Sequence, residues 1–166
     1  MKREKKKENL VLDYLDKYVK LENTIDIKDD KIVDTYCNSY RPDRVYDVGT
    51  HNVIIEVDED QHKGKRSNCS KGEIGELARM HEIQNAIGLP CIFIRFNPDN
   101  FRVTGKLQKV NMNERLKILV KWIEKCADMK PDRELQPVKY KYLFYDEYNE
   151  TDISFLEIDD TQLYNK

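Results

Sequence analysis

Nowhere in the 166 residues is there an apolar run near the ~20 residues that crossing a bilayer requires. The basic opening MKREKKK is also not followed by the apolar segment of a secretory signal. Cysteine is scarce. The four residues, Cys37, Cys69, Cys91 and Cys126, lie far apart with no Cys-x-x-Cys pair, which supports neither a zinc ribbon nor a disulfide scaffold. His62 and Cys69 lack the further partners that a zinc site needs. The expectation is a soluble intracellular protein of the cytoplasm or nucleus, with reduced thiols and no membrane partner. Bulk charge is nearly absent too: 29 Lys and Arg against 31 Asp and Glu leave −2, so the sum alone argues against a polyanion partner. The aromatic residues do not alternate with basic ones as they do in a single-strand stacking platform.

What the chain has is uneven charge. Met1 to Lys7 carries five basic residues and one acid, and reads either as a solubilising end or as a flexible arm that meets phosphates. Arg102 to Lys141 holds eleven basic residues against five acids, whereas Asp146 to Asp160 is strongly acidic. The hydrophobic fraction of 39% is low, but its members are clustered into periodic runs, and the length fits one domain with a real core. The expected organisation is a basic arm over 1–7, a folded domain over 8–145 and an acidic tail over 146–166 that packs on the sheet edge or stays outside it.

Within the domain, Leu10, Val11, Tyr14, Leu15, Tyr18 and Val19 form the apolar stripe of a helix over Glu8 to Leu21. Glu8 sits near that stripe, where the helix dipole favours an acid. Thr24 to Ile27 and Lys31 to Val33 read as a short strand pair around Asp29-Asp30. A helix over Lys71 to Ile87 is ended by Gly88 and Pro90, and Cys91 to Phe96 is a buried strand. Because this helix lies between two apolar strands, the strands are expected to be parallel neighbours with the helix covering one face. Arg95 interrupts the second strand, as a structural ion pair or a partner for a site carboxylate or a phosphate. Asn113 is the expected cap of a helix over Glu114 to Ala127, whose outer face carries Lys117, Lys121 and Lys125 as a basic stripe able to follow a DNA backbone or simply to be solvated. Tyr140 to Tyr145 reads as a last strand.

The chemistry concentrates in RPDRVYDVGTHNVIIEVDEDQH, Arg41 to His62. Val53, Ile54 and Ile55 are β-branched and apolar, bounded upstream by the turn-prone Gly49-Thr50-His51-Asn52, which predicts a short buried strand. Side chains alternate across a strand, so Glu56 and Asp58 leave one face while Val57 enters the core on the other. Asp43 stands thirteen positions before Glu56, and a hairpin of that length brings its carboxylate beside the other two. Carboxylates gathered at a strand end repel one another, and a hard divalent cation, Mg²⁺ or Mn²⁺, is the usual remedy. Its open positions can hold a water nucleophile and a phosphate oxygen. The plain alternative is a solvated acidic turn after a strand. The following Lys63-Gly64-Lys65-Arg66 is a basic loop beside the proposed ion, suited to phosphate contact or to solvation.

Pro42-Asp43 followed by Glu56-Val57-Asp58 resembles the PD-(D/E)XK nuclease superfamily, with its restriction-endonuclease-like fold. The resemblance implies that Asp43 and Glu56 bind metal and that Val57 contributes its carbonyl. Asp58 stands where the superfamily usually has Lys, a departure from the pattern. The chain is more similar to the very-short-patch-repair-like branch, which lacks that Lys and has a His six residues after the second metal position, here His62. That branch also opens an N-terminal helix with a Glu, here Glu8. The strand with its Asp-x-x-Gln-His and the later FIRFNPD also resemble nuclease-like domains of large double-stranded DNA viruses.

The expected fold is therefore α/β, restriction-endonuclease-like and three-layered, with a central mixed sheet flanked by helices. The expected activity is Mg²⁺- or Mn²⁺-dependent hydrolysis of DNA, backbone-guided and on duplex, by a monomer or a homodimer. Asp43, Glu56 and Val57 hold the ion in this reading, Asp58 completes or tunes the site, and Glu8 orients the attacking water. His62 acts as base or stabilises transition-state charge. Lys63, Lys65, Arg66, Arg95, Lys117 and Lys121 are the candidate DNA contacts. Two other readings stand beside it: a nuclease-like fold that binds DNA or assembles without catalysis, which Asp58 in place of Lys motivates, and an unrelated metal-free interaction domain.

Overall fold

Two fully buried strands organise the computed structural model, which describes residues 6–29, 33–34, 39–62, 73–130 and 137–158. In chain order the helices are α1 (Lys6–Tyr18), α2 (Glu73–Ile87) and α3 (Met112–Asp128). The strands are β1 (Asp26–Asp29), β2 (Val33–Asp34), β3 (Ser39–Tyr40), β4 (Arg44–Asp47), β5 (Asn52–Val57), β6 (Cys91–Phe96), β7 (Phe101–Val103), β8 (Lys106–Gln108), β9 (Val138–Leu143) and β10 (Leu156–Glu157). A single helical turn, Glu59–His62, follows β5. Six strands form one mixed sheet in the order β1-β4-β5-β6-β9-β10. β5, β6 and β9 run parallel at its centre, while β1, β4 and β10 join antiparallel.

Every residue of β5 and β6 is buried, as expected of strands covered on both faces. The alternation of side chains divides the core in two. Val53, Ile55, Val57, Ile92, Ile94 and Phe96 face α1 and α3, where they meet Val11, Leu15, Leu116, Leu119 and Ile123. Ile54, Phe93, Val138 and Tyr140 face α2, against Leu77, Met80 and Ile83. The expected α/β class with helices on both faces of a mixed sheet is thus present, and so is the parallel crossover from β5 through α2 to β6. Gly88, at φ 77°, ends α2 and returns its N–H to the Gln84 carbonyl at 2.8 Å.

Four expectations are corrected. Among the described residues the expected strand pair around Asp29-Asp30 is replaced by other partners, β1 pairing with β4 and β2 with β3, while residues 30–32 lie outside the described residues. β1 is better satisfied there because Asp29 lies opposite Arg44 and takes two of its guanidinium hydrogen bonds, at 2.6 and 2.8 Å. The cap of α3 is Asn111, not Asn113; its side chain accepts from the Asn113 amide at 2.8 Å. Lys6 and Lys7 belong to α1, not to an arm; residues 1–5 lie outside the described residues. Tyr140 to Tyr145 is not the last strand: as far as Ile158 the acidic tail takes the first of its two expected courses and packs on the sheet edge, since β10 extends the sheet, Ile158 is buried and Phe155 packs edge-on to Trp122 at 5.6 Å. A further hairpin, β7 with β8 across the left-handed Thr104-Gly105, was not expected at all.

Candidate active site

The β4–β5 hairpin does what its length suggested. Arg44 is opposite Ile55, so Asp43 arrives level with Glu56, and Asp43 Oδ2 accepts the Val57 N–H at 2.7 Å. Glu56 and Asp58 lie on the α2 face, with Val57 in the core on the other side. Glu56 is opposite Arg95 on β6, and Arg95 is opposite Tyr142 on β9, so the row Glu56, Arg95, Tyr142 crosses the carboxyl ends of three parallel strands.

Two arginines meet the acids there. Arg95, 1% exposed, makes a fork with Asp58, Nε to Oδ2 at 2.7 Å and Nη2 to Oδ1 at 2.9 Å, and gives Nη1 to Glu76 of α2. Burial opposes its charge, but Asp58, Glu76 and Glu56 outweigh that and hold the guanidinium pKa above its ordinary value. Asp58 is fully buried and also accepts the Tyr145 hydroxyl. Tyr145 is raised above the ordinary phenol range by burial and by that neighbouring carboxylate. Glu56, 4% exposed, has Arg79 of α2 as its ion-pair partner, Nη2 to Oε1 at 3.0 Å. Burial pushes the Glu56 carboxyl up to about 8; Arg79 and Arg95 oppose the rise, Asp43 and Asp58 add to it.

The turn after β5 is held in an unusual backbone. Asp60 and Gln61 have φ of 50° and 52°, left-handed for two consecutive residues with side chains. Hydrogen bonds hold it: the Asp60 N–H donates to Asp99 at 2.7 Å, and Gln61 exchanges bonds with Asp146 at 3.0 and 2.8 Å. His62 closes this turn, and its side chain lies outside what is described. Lys63, Lys65 and Arg66 are outside the described residues.

The remaining expected residues divide between the two faces of the sheet. Glu8 is half-buried in the first turn of α1, on the opposite face of the sheet from Glu56, although Lys7 beside it reaches Asp99 and so brings that turn to the same sheet end. Lys117 and Lys121 are exposed on α3, also across the sheet. Arg95 follows the ion-pair alternative and not the phosphate one: it is buried and committed to Asp58 and Glu76. Three participants were missed: Glu76, Arg79 and Tyr145. The helical signal for Glu76 was available, since Glu76, Met80, Ile83 and Ile87 follow one inward stripe.

Among the described residues, no group of three or more His, Cys, Asp or Glu side chains is disposed to hold a metal ion. The donor chemistry narrows accordingly. Both Asp58 oxygens are taken by Arg95, so Asp58 is a poor ligand. Asp43 and Glu56 fit a hard divalent ion: they are close enough for Asp43 to raise Glu56, and Mg²⁺ is ordinarily held by one or two carboxylates with water. Two guanidiniums, Arg79 and Arg95, pair with Glu56, Asp58 and Glu76 among the described residues. The fold and site define a mixed α/β domain with a buried carboxylate–arginine cluster at the carboxyl ends of its parallel strands. A scan against protein-family models, a search of curated proteins and a search of solved structures each returned no match.

Proposed function

We propose that the chain is a Mg²⁺- or Mn²⁺-dependent endonuclease acting on DNA, with Asp43 and Glu56 as the metal-holding carboxylates. One observation carries the reading: Asp43 and Glu56 converge at the end of β5, where burial raises Glu56 to about 8 and the neighbouring Asp43 adds to the rise, so that a divalent ion bridging the two would favour the ionised carboxylate. Asp43, by accepting the Val57 N–H, fixes the backbone whose carbonyl the resemblance assigns to the ion. Asp58 has a positioning role here: through Arg95 it ties β5 to β6 and, with Glu76, to α2. His62, at the end of the strained turn, is the candidate for proton transfer or charge stabilisation. The bound ion would supply Lewis acidity toward a phosphodiester oxygen.

The second reading, a nuclease-like module without catalysis, is favoured by one observation. The position usually held by Lys is an aspartate locked to a buried arginine. Both readings are tested by incubating supercoiled plasmid, linear duplex and single-stranded DNA with Mg²⁺ or Mn²⁺ and the wild type, Asp43→Ala or His62→Ala. Cleavage by the wild type that Asp43→Ala abolishes and His62→Ala cuts by about 10²-fold or more supports the enzyme. Divalent binding without cleavage supports the module.

A further inference from the structure

The two arginines facing the acids are held in different ways. Arg95 is sealed in: it is 1% exposed, forked onto a fully buried Asp58 and given a second carboxylate, Glu76. Arg79 is 20% exposed and reaches Glu56 through one Nη2 contact at 3.0 Å. Its Nε is buried with no hydrogen-bond partner among the described residues. Its guanidinium also lies over the Tyr40 ring, 5.5 Å from the centroid, and Tyr40 is steadied by its hydroxyl bond to Glu82 at 2.8 Å, one turn further along α2. A guanidinium with one ionic contact, an unsatisfied N–H and an aromatic face beside it is a replaceable partner.

We propose that Arg79 is the resident counter-ion of Glu56 and yields that carboxylate when the divalent ion binds, so that α2 sets how readily the site loads. This rests on the reading of Asp43 and Glu56 as metal-holding residues. A guanidinium and a dication cannot share one buried carboxylate edge cheaply: at ~5 Å their repulsion is about 1.7 kcal/mol even at the dielectric of water, roughly a factor of ten in affinity. Arg79 therefore gives up Glu56 and keeps the Tyr40 ring, whereas Arg95 stays on Asp58. The arrangement keeps a buried acid compensated in the absence of metal and makes the metal compete with an internal cation.

The test uses the intact chain and Mg²⁺ as probe, by isothermal titration calorimetry at pH 9, with the fold of each variant checked by its melting curve. Arg79→Gln is expected to bind Mg²⁺ about tenfold more tightly than wild type, and Asp43→Ala not at all. A second measurement needs no altered residue in the sample observed. In the ¹⁵N spectrum of the wild type, the Arg79 Nε–H resonance should move on saturation with Mg²⁺ while that of Arg95 stays in place. If wild type binds and Asp43→Ala does not, but Arg79→Gln binds equally or more weakly and the Arg79 resonance is unmoved, the Arg79 proposal is overturned and the metal reading survives. If neither wild type nor Arg79→Gln binds Mg²⁺, both fall.

Discussion

Cutting the Arg95–Asp58 pair should reveal how the site is built. Arg95→Met leaves Asp58, with no exposed surface, next to a methionine and without its forked guanidinium, though still accepting the Tyr145 hydroxyl. Removing one member of a buried, forked ion pair ordinarily costs about 3–5 kcal/mol. With a urea slope of about 2 kcal/mol per molar, the unfolding midpoint should fall by roughly 2 M. Asp58→Leu should cost less, about 2–3 kcal/mol, because Arg95 keeps Glu76. The double variant Arg95→Met/Asp58→Leu removes both charges and takes one bond each from the Tyr145 hydroxyl and the Glu76 carboxylate, so about 1–2 kcal/mol should be lost. The sum of the single losses would be about 5–8 kcal/mol, which makes the coupling several kcal/mol in favour of the pair. Equilibrium urea unfolding followed by circular dichroism measures all four corners of the cycle. Additive losses, or a single-variant loss below about 1 kcal/mol, would refute the claim that Arg95 is a structural partner of Asp58.

Other consequences follow from the same contacts. Glu56 has its folded pKa raised to about 8 against an ordinary 4.5, so the folded state binds the extra proton between those values and stability falls as pH rises through that window. Glu56→Gln should remove this slope, so its stability advantage over wild type grows from pH 4.5 to 8 by a few kcal/mol at about 1.4 per unit, and parallel curves in urea titrations across pH would contradict it. Asn111→Ala should cost about 1 kcal/mol through loss of the α3 cap, while Asn113→Ala, whose amide and not whose side chain takes part, should be near neutral by thermal melting. Gly49→Ala places a Cβ residue at φ +89° and 2.9 Å from the Ile25 side chain; since Ile25 is exposed and can move, the backbone term dominates, and about 1 kcal/mol should be lost in the same assay.

How much of this was legible depended on whether a residue's partners were close in the pattern. The β5 strand, the α2 crossover and β6 announced themselves because apolar runs bounded by turns have few other uses, and the parallel pairing followed from their connection. Asp43 beside Glu56 was legible because a hairpin fixes register. The choice of β4 as partner for β1 was not, since it depends on Arg44 reaching Asp29 and, on α1, Asp16 at 2.7 Å, contacts between elements far apart in sequence. The α3 cap was misplaced by two residues because Asn111 and Asn113 both suit the role, and only the backbone entering the helix distinguishes them. The last strand at β10 was hidden because an acidic composition says nothing about whether Ile158 and Phe155 find apolar cover. Arg79 was passed over because a helical arginine next to an unfinished apolar stripe reads as solvated until the facing strand supplies Glu56.

The pair Asp43-Arg44 shows why the acids converge at all. Neighbours on a strand point to opposite faces, so whatever anchors one aims the other. Arg44 is 2% exposed, forked onto Asp29, bonded to Asp16 and 5.8 Å from the centre of the Tyr46 ring, which clamps β1 and α1 to the same side of β4. Burial works against its charge, but the hydrogen bonds it donates to Asp29, Tyr46 and Asp16 raise its pKa above the ordinary value, so it stays charged and fixed. With β4 unable to roll, Asp43 is left facing Glu56 and within reach of the Val57 amide. The arginine that looks remote from the chemistry thus sets its geometry from the other side of the sheet, and two buried arginines, Arg44 on β4 and Arg95 on β6, flank β5 from opposite faces of the sheet. The acids at the end of β5 are therefore placed by charge pairs the sheet conceals, and Glu56, whose own partner is only partly buried and singly bonded, is the one at which the proposed cation would compete.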